Sequence, residues 1–108
     1  MITGIKDVYL YTKDVGNEKS SCFKAKKFLD DNGIPHTNLN YSDPSQHAEL
    51  LSNVSSWWNG ALTVTGFPFV HYTEIHEELD PSEYPVDILR GLTEIRNSNI
   101  ADLHALGS

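Results

Sequence analysis

The first 41 residues predict a strand, a helix and a second strand that are joined by short connections. Asp7–Thr12 is rich in β-branched and aromatic residues, which favour a central strand of a sheet. A helix should begin at about Ser21. It should end at Asn32–Gly33, because glycine supplies a left-handed cap there and Pro35 prevents the helix from continuing. His36–Tyr41 alternates its side chains as a half-buried strand does. Such a βαβ unit makes the two strands parallel, with a right-handed crossover.

The middle of the chain predicts a second helix. Ser42–Pro44 should start it, since a capping side chain is followed by proline at the first helical position, where its missing N–H costs nothing. We expect the buried face of this helix to carry Ala48, Leu51, Trp58 and either Val54 or Ser55, and Asn59–Gly60 to close it. Trp57 and Trp58 fit the edge of the core better than a binding platform.

The last third predicts two strands and a closing helix. The third strand should open at Phe69 and extend to Glu77, and Val86–Arg90 should pair with it as an antiparallel fourth strand. Ser98 can cap a helix over 99–106, whose core side chains are Ile100, Leu103 and Leu106. Together these elements predict an α/β fold, with a four-stranded mixed sheet in the order 4-3-1-2 and helices on both faces.

Length and charge narrow the functions that are open to the chain. Its 108 residues suffice for one domain around a single modest core. The formal net charge of -7 argues against a nucleic acid or an anionic membrane as partner, because both need a basic surface. No apolar run reaches the roughly twenty residues of a membrane span. A single cysteine suits a reducing compartment, so we expect a cytoplasmic protein, and we expect a monomer.

Cys22 is the side chain with nucleophilic potential in a suggestive position. Ser20 or Ser21 can cap the first predicted helix, which places Cys22 in its first turn. The helix dipole and free N–H groups there favour a thiolate, and four lysines add positive charge nearby: Lys19, Lys24, Lys26 and Lys27. A buried free cysteine is often only a small hydrophobic residue. We expect Cys22 to be partly buried and slow to react, because burial penalises the charged form.

Three segments around this cysteine resemble the glutaredoxin branch of the thioredoxin-fold family. Tyr11–Lys13 matches the Tyr-Thr-Lys before the Cys-x-x-Cys motif, Cys22–Lys26 matches the helix after it, and Gly33–Pro35 matches a Gly-Ile-Pro turn. The resemblance implies a thioredoxin-like fold in which Cys22 occupies the second, resolving position. Lys19 then stands at the first position, where the family keeps its nucleophile. Segment 14–18 is also longer than the usual spacer of the family.

A second resemblance lies in Val64–Val70, which is similar to the Val-x-Gly-Phe-Pro loop of thioredoxins. It implies a cis bond between Phe67 and Pro68, close to Ser20–Cys22, with the backbone of Phe67 pairing with glutathione or a peptide. A trans proline in an edge loop is the alternative, since trans is the commoner form. Gly91–Glu94 stands where glutaredoxins hold the ends of glutathione in a turn, and matches that turn in part. The implied glutathione-binding set is Lys13, Lys19, Phe67, Pro68, Thr93 and Glu94.

A metal site is not expected at the histidines. His71 and His76 would face opposite sides of a regular strand, because an odd number of positions separates them. Glu74, His76 and Glu78 share a face, but their spacing fits a solvated strand better than a set of zinc ligands.

Two functions of different kinds remain open on the sequence. The first is a glutaredoxin-like thiol redox protein, in which Cys22 exchanges with glutathione or a protein disulfide by a monothiol reaction. The second is a redox-inactive thioredoxin-fold module that holds a protein or peptide partner at the Phe67–Pro68 edge. The Tyr-Thr-Lys match and the thiol at a helix end favour the first function. The lysine at the nucleophile position favours the second.

Overall fold

A computed structural model of the chain describes residues 1–13, 19–57 and 68–107, without the side chains of 54–57. The strands are β1 (Ile2–Thr12), β2 (Thr37–Asn40), β3 (Phe69–His76) and β4 (Val86–Arg90). The helices are α1 (Ser21–Asp31), α2 (Pro44–Trp57), α3 (Gly91–Asn97) and α4 (Ile100–Leu106), and Pro81–Glu83 forms a single 3-10 turn between β3 and β4. These elements make an α/β fold.

The four strands form one mixed sheet in the order β2-β1-β3-β4. β1 and β2 are parallel, with Tyr9 opposite Thr37, and α1 connects them. β3 pairs antiparallel with both β1 and β4. The predicted strand order and the parallel βαβ unit are therefore confirmed. Gly33 has a φ of 66° after the end of α1, which is the left-handed cap that the sequence predicted.

β1 extends from Ile2, ahead of the predicted Asp7–Thr12, and a β-bulge interrupts it. Between Lys6 and Tyr9, two residues of β1 oppose a single residue of β3. Asp7 lies in this bulge with a φ of 52°, a left-handed conformation that aspartate tolerates better than most residues. The extra residue shifts the two-residue period of the strand, so the alternation of Asp7–Thr12 does not continue into its first half.

Helices cover both faces of the sheet, as predicted. α1, α3 and α4 share one face, where they form the larger core cluster with the strands: Val8, Leu10, Ala25, Leu29, Ile34, Val70, Tyr72, Leu89, Ile95 and Ile100. α2 covers the other face through a smaller cluster of Tyr11, Leu39, Leu50 and Phe69. Leu10 and Tyr11 are both fully buried although they are neighbours in β1, because successive side chains of a strand enter opposite layers.

The predicted buried face of α2 is wrong at Ala48, which is exposed. Leu51 is half-buried against the smaller core cluster, and Leu50, which the sequence did not place on that face, is fully buried. Two contacts with the end of β2 orient the helix: the Gln46 side chain accepts a hydrogen bond from the Asn40 N–H at 2.8 Å, and the His47 ring packs 4.3 Å from that of Tyr41. Leu50 lies one helical turn after Gln46 and His47, so these contacts direct it toward the sheet. The predicted roles of Val54, Ser55, Trp57, Trp58 and Asn59–Gly60 lie outside the described side chains.

The C-terminal segment departs from the prediction at two points. Gly91–Glu94 is not a turn but the start of α3, and Thr93 and Glu94 lie exposed on that helix. α4 begins at Ile100, and the Ser98 hydroxyl accepts a hydrogen bond from the Ile100 N–H at 3.4 Å while it donates one to the Ile95 carbonyl at 2.6 Å. Ile100 is buried as predicted, whereas Leu106 is 58% exposed and does not belong to the core.

Candidate functional site

Ser20 caps the helix that carries the cysteine. Its hydroxyl accepts a hydrogen bond from the Phe23 N–H at 3.1 Å, and its carbonyl accepts one from the Lys24 N–H at 3.2 Å. Ser20 is extended, with φ of -74° and ψ of 150°, as a residue in the N-cap position should be. Of the two serines that the sequence offered, Ser20 is the cap, and Ser21 is the exposed first residue of α1.

Replacing Ser20 with alanine is expected to lower the free energy of unfolding by about 1 kcal/mol, because the first turn loses the acceptor of one N–H group. Ser21→Ala is the matched control, since it removes the same hydroxyl one residue later and leaves the cap in place. Urea unfolding monitored by circular dichroism compares the two variants. Equal effects of the two substitutions would contradict the cap assignment.

Cys22 joins α1 to the end of β1. Its side chain is 6% exposed, on the same buried face of α1 as Ala25 and Leu29. The Lys13 backbone N–H donates a hydrogen bond to Cys22 Sγ at 3.4 Å. The thiol is therefore more buried than the sequence led us to expect, and the contact of Lys13 with it comes from the backbone rather than from the lysine side chain.

The backbone segment that meets Cys22 is fixed by several further hydrogen bonds. The Thr12 carbonyl accepts one from the Tyr41 N–H at 2.7 Å, and the Thr12 hydroxyl donates to the Asn38 side chain at 3.0 Å. The Ser42 hydroxyl donates to the Lys13 carbonyl. Thr12 is fully buried, where polar groups are normally hydrogen-bonded. Together these bonds tie the end of β1 to β2 and to the start of α2. The Lys13 N–H is thus presented to the sulfur by a constrained backbone.

The other predicted site residues lie near the same end of the sheet. Pro68 is fully buried, and its carbonyl accepts a hydrogen bond from the Gly91 N–H at 2.7 Å, which joins the entry of β3 to the start of α3. Tyr11 pairs with Phe69 across β1 and β3, so the end of β1 runs beside Pro68. Thr93 and Glu94 follow Gly91 in α3, and Lys13 and Lys19 are exposed at the surface. Phe67, and with it the predicted cis bond, lies outside the described residues.

Lys26 and Lys27, which were expected to favour a thiolate, both have acidic partners. Lys26 Nζ lies 3.0 Å from the Asp30 carboxylate, and Lys27 Nζ lies 2.9 Å from that of Asp31. Both pairs are exposed, with the aspartate one helical turn after the lysine, so their charges largely offset each other. The first turn of α1 contains no acidic residue.

A cavity of about 550 Å³ runs along the outer side of α1, away from the buried face that carries Cys22. In the described part of the chain, its lining is Phe23, Lys26, Lys27, Asp30 and Asp31. Among the described residues, none of the predicted site residues belongs to this lining.

The histidines of β3 have different surroundings. His76 lies between two carboxylates, with Nε2 3.1 Å from Glu74 and Nδ1 3.1 Å from Glu78. Within the described ranges, no group of three or more His, Cys, Asp or Glu side chains has the arrangement of a metal site. His71 is instead 9% exposed and stacks on Tyr9, with ring centroids 5.5 Å apart. Sequence reasoning missed this environment, because it depends on the register between β1 and β3.

No helix in the described part of the chain is both long and apolar enough to cross a bilayer. Comparison with protein-family models, with curated proteins and with solved structures finds no match to this chain.

Proposed function

We propose that this chain is a glutaredoxin-like thiol redox protein of a reducing compartment such as the cytoplasm, with a thioredoxin-like fold and Cys22 as its reacting group. The observation that carries the proposal is the position of the sulfur. Cys22 lies in the first turn of a capped helix, and the Lys13 backbone N–H donates to its Sγ at 3.4 Å. A helix N-terminus and a backbone donor both stabilise negative charge on sulfur.

The reaction in this proposal is monothiol exchange with glutathione disulfide. The Cys22 thiolate attacks one sulfur of the disulfide, the glutathione S–S bond breaks, and a mixed disulfide forms between Cys22 and one glutathione. The second glutathione leaves as a thiolate and takes up a proton from water. Reduced glutathione reverses the reaction by attacking the mixed disulfide. The exchange is slow, because a side chain that is 6% exposed gives the disulfide little access.

Glutathione would bind at the end of the sheet where the described site residues lie. The ammonium groups of Lys13 and Lys19 are exposed there and suit the carboxylates of the peptide. Thr93 and Glu94 are exposed on α3, where a hydroxyl and a carboxylate suit the α-amino end. Phe67 and Pro68 would supply backbone pairing along the peptide. Cys22 would then receive the disulfide from the side of Lys19.

A redox-inactive binding module is the second candidate, and the burial of Cys22 favours it. Cys22 is 6% exposed and its sulfur accepts a hydrogen bond from the Lys13 backbone N–H, so it can serve as a core residue that connects α1 to β1. Lys19 stands at the position where glutaredoxins keep their nucleophilic cysteine, which also fits a redox-inactive binding module. In that case a protein or peptide partner would occupy the edge at Phe67–Pro68.

Binding can be tested separately from exchange with S-methylglutathione, which has no free thiol. We expect its titration into the ¹⁵N-labelled protein to shift the backbone amide signals of Lys13, Cys22, Thr93 and Glu94. The amide of Asp80, which belongs to the opposite end of the β3–β4 hairpin, is the internal control. Shifts confined to residues near Asp80, or no shifts at millimolar peptide, would contradict a glutathione site at this end of the sheet.

A further inference from the structure

Asn32 and Gly33, at the C-terminal end of α1, have the sequence at which spontaneous deamidation is easiest. In this reaction the Gly33 backbone nitrogen gives up its proton and attacks Asn32 Cγ, the bond from Cγ to the side-chain nitrogen breaks, and ammonia leaves. Water then opens the cyclic imide to aspartate or isoaspartate. Glycine favours the attack because it has no side chain to hinder the approach and its backbone is unusually free. Both residues are exposed, so water reaches them.

The geometry of the helix end keeps the two reacting groups apart. The Asn32 side-chain amide donates a hydrogen bond to the Phe28 carbonyl at 2.7 Å, and the Gly33 N–H donates to the Asp30 carbonyl at 3.0 Å. The imide ring closes only when the Gly33 nitrogen lies on the same side of the Asn32 Cα–C bond as Cβ. The Asn32 ψ of 5° instead places it beside the Asn32 nitrogen. Exposure alone therefore does not make Asn32 reactive.

Further backbone bonds hold this geometry in place. The Asn32 N–H donates to the Phe28 carbonyl at 3.2 Å, and the Ile34 N–H donates to the Leu29 carbonyl at 3.0 Å. Ile34 is 2% exposed and belongs to the larger core cluster, so the chain is anchored directly after Gly33. A rotation of Asn32 ψ toward the reactive geometry would move Gly33 and Ile34 and break these bonds. Deamidation therefore requires the last turn of α1 to open.

We propose that Asn32 is a deamidation site guarded by the C-terminal cap of α1, and that its conversion weakens that cap. The new carboxylate has no hydrogen to donate to the Phe28 carbonyl. It also adds a third consecutive negative charge after Asp30 and Asp31, at the helix end where the dipole disfavours anions, and the last turn contains no basic residue. Isoaspartate further lengthens the backbone within the cap. The proposal does not depend on the thiol chemistry, because Cys22 lies at the other end of α1.

The guard is tested by incubating the unaltered protein at neutral pH, folded and in guanidinium chloride, and mapping its peptides by mass spectrometry with separation of isoaspartate. We expect Asn32 to convert at least about tenfold more slowly in the folded protein, since reaction requires local opening. Asn59–Gly60, the second Asn-Gly pair of the sequence, is the reference in guanidinium chloride, where both sites should convert at similar rates. Equal rates for Asn32 with and without denaturant, or no conversion of Asn32 in denaturant, overturn the proposal.

The consequence of the modification is tested with Asn32→Asp, which reproduces the aspartate product. Urea unfolding at neutral pH should show the folding equilibrium constant lowered about 3- to 10-fold, because a hydrogen bond is lost and the helix end gains a negative charge. Asn99→Asp is the matched control. Asn99 is exposed at the N-cap of α4, where aspartate and asparagine are about equally good, so we expect a change of less than about twofold. Equal effects of the two substitutions overturn the proposal.

Discussion

Replacing Leu50 with alanine is expected to lower the free energy of unfolding by about 2–5 kcal/mol, the range for large-to-small changes in a well-packed core. Leu50 is fully buried and connects α2 to Tyr11, Leu39 and Phe69 of the sheet. The substitution removes apolar area from the core and leaves a cavity between a helix and a sheet that cannot easily approach each other. Urea unfolding of the variant and the unaltered protein at one pH measures the loss.

Leu51→Ala is the matched control for this experiment. It deletes the same side chain from the next position of the same helix, where leucine is half-buried. We expect its cost to be about half that of Leu50→Ala or less, because the stabilisation follows the area removed from water. If Leu51→Ala costs as much as Leu50→Ala, the orientation of α2 is incorrect.

The orientation of α2 also shows why part of the fold could not be predicted from the sequence. A helix beginning at Pro44 follows from local capping chemistry, but the choice between the faces of Leu50 and Leu51 does not. That choice depends on where Gln46 and His47 meet the end of β2, which is a tertiary contact. By contrast, α1 was predicted nearly to the residue, because a serine cap and a glycine end are both local signals, and β4 has the predicted bounds Val86–Arg90.

For the candidate site, as for the fold, local features could be predicted from the sequence and contacts between elements could not. The helix-end position of Cys22 followed from Ser20 and the apolar spacing of α1. The hydrogen bond from the Lys13 N–H to its sulfur required the register of α1 against β1, which no single segment determines. The helical conformation of Thr93 and Glu94 was missed because Gly91 was interpreted as a turn residue, whereas its φ of 85° serves the junction between β4 and α3.

The second large effect concerns the reactivity of Cys22. Because the folded side chain is 6% exposed, we expect iodoacetamide to modify it at least about tenfold more slowly in the folded protein than in urea, since reaction then requires local opening. Ser20→Ala should increase the folded-state rate, because an uncapped first turn opens more readily. Ser21→Ala, which keeps the cap, is the control and should react at the rate of the unaltered protein. Equal rates in the folded protein and in urea would contradict the burial of the thiol.

Exchange with oxidised glutathione, followed by intact-protein mass spectrometry under native conditions, tests the proposed function most directly. The account predicts slow addition of a single glutathione to the unaltered protein, its release by excess reduced glutathione, and no addition to Cys22→Ser, because the chain contains one cysteine. The same incubation in urea is the control, because it shows whether the Cys22 thiol reacts with oxidised glutathione once the protein is unfolded. If the adduct forms in urea but not in the folded protein, Cys22 is a core residue, and the monothiol function is contradicted in favour of a binding module.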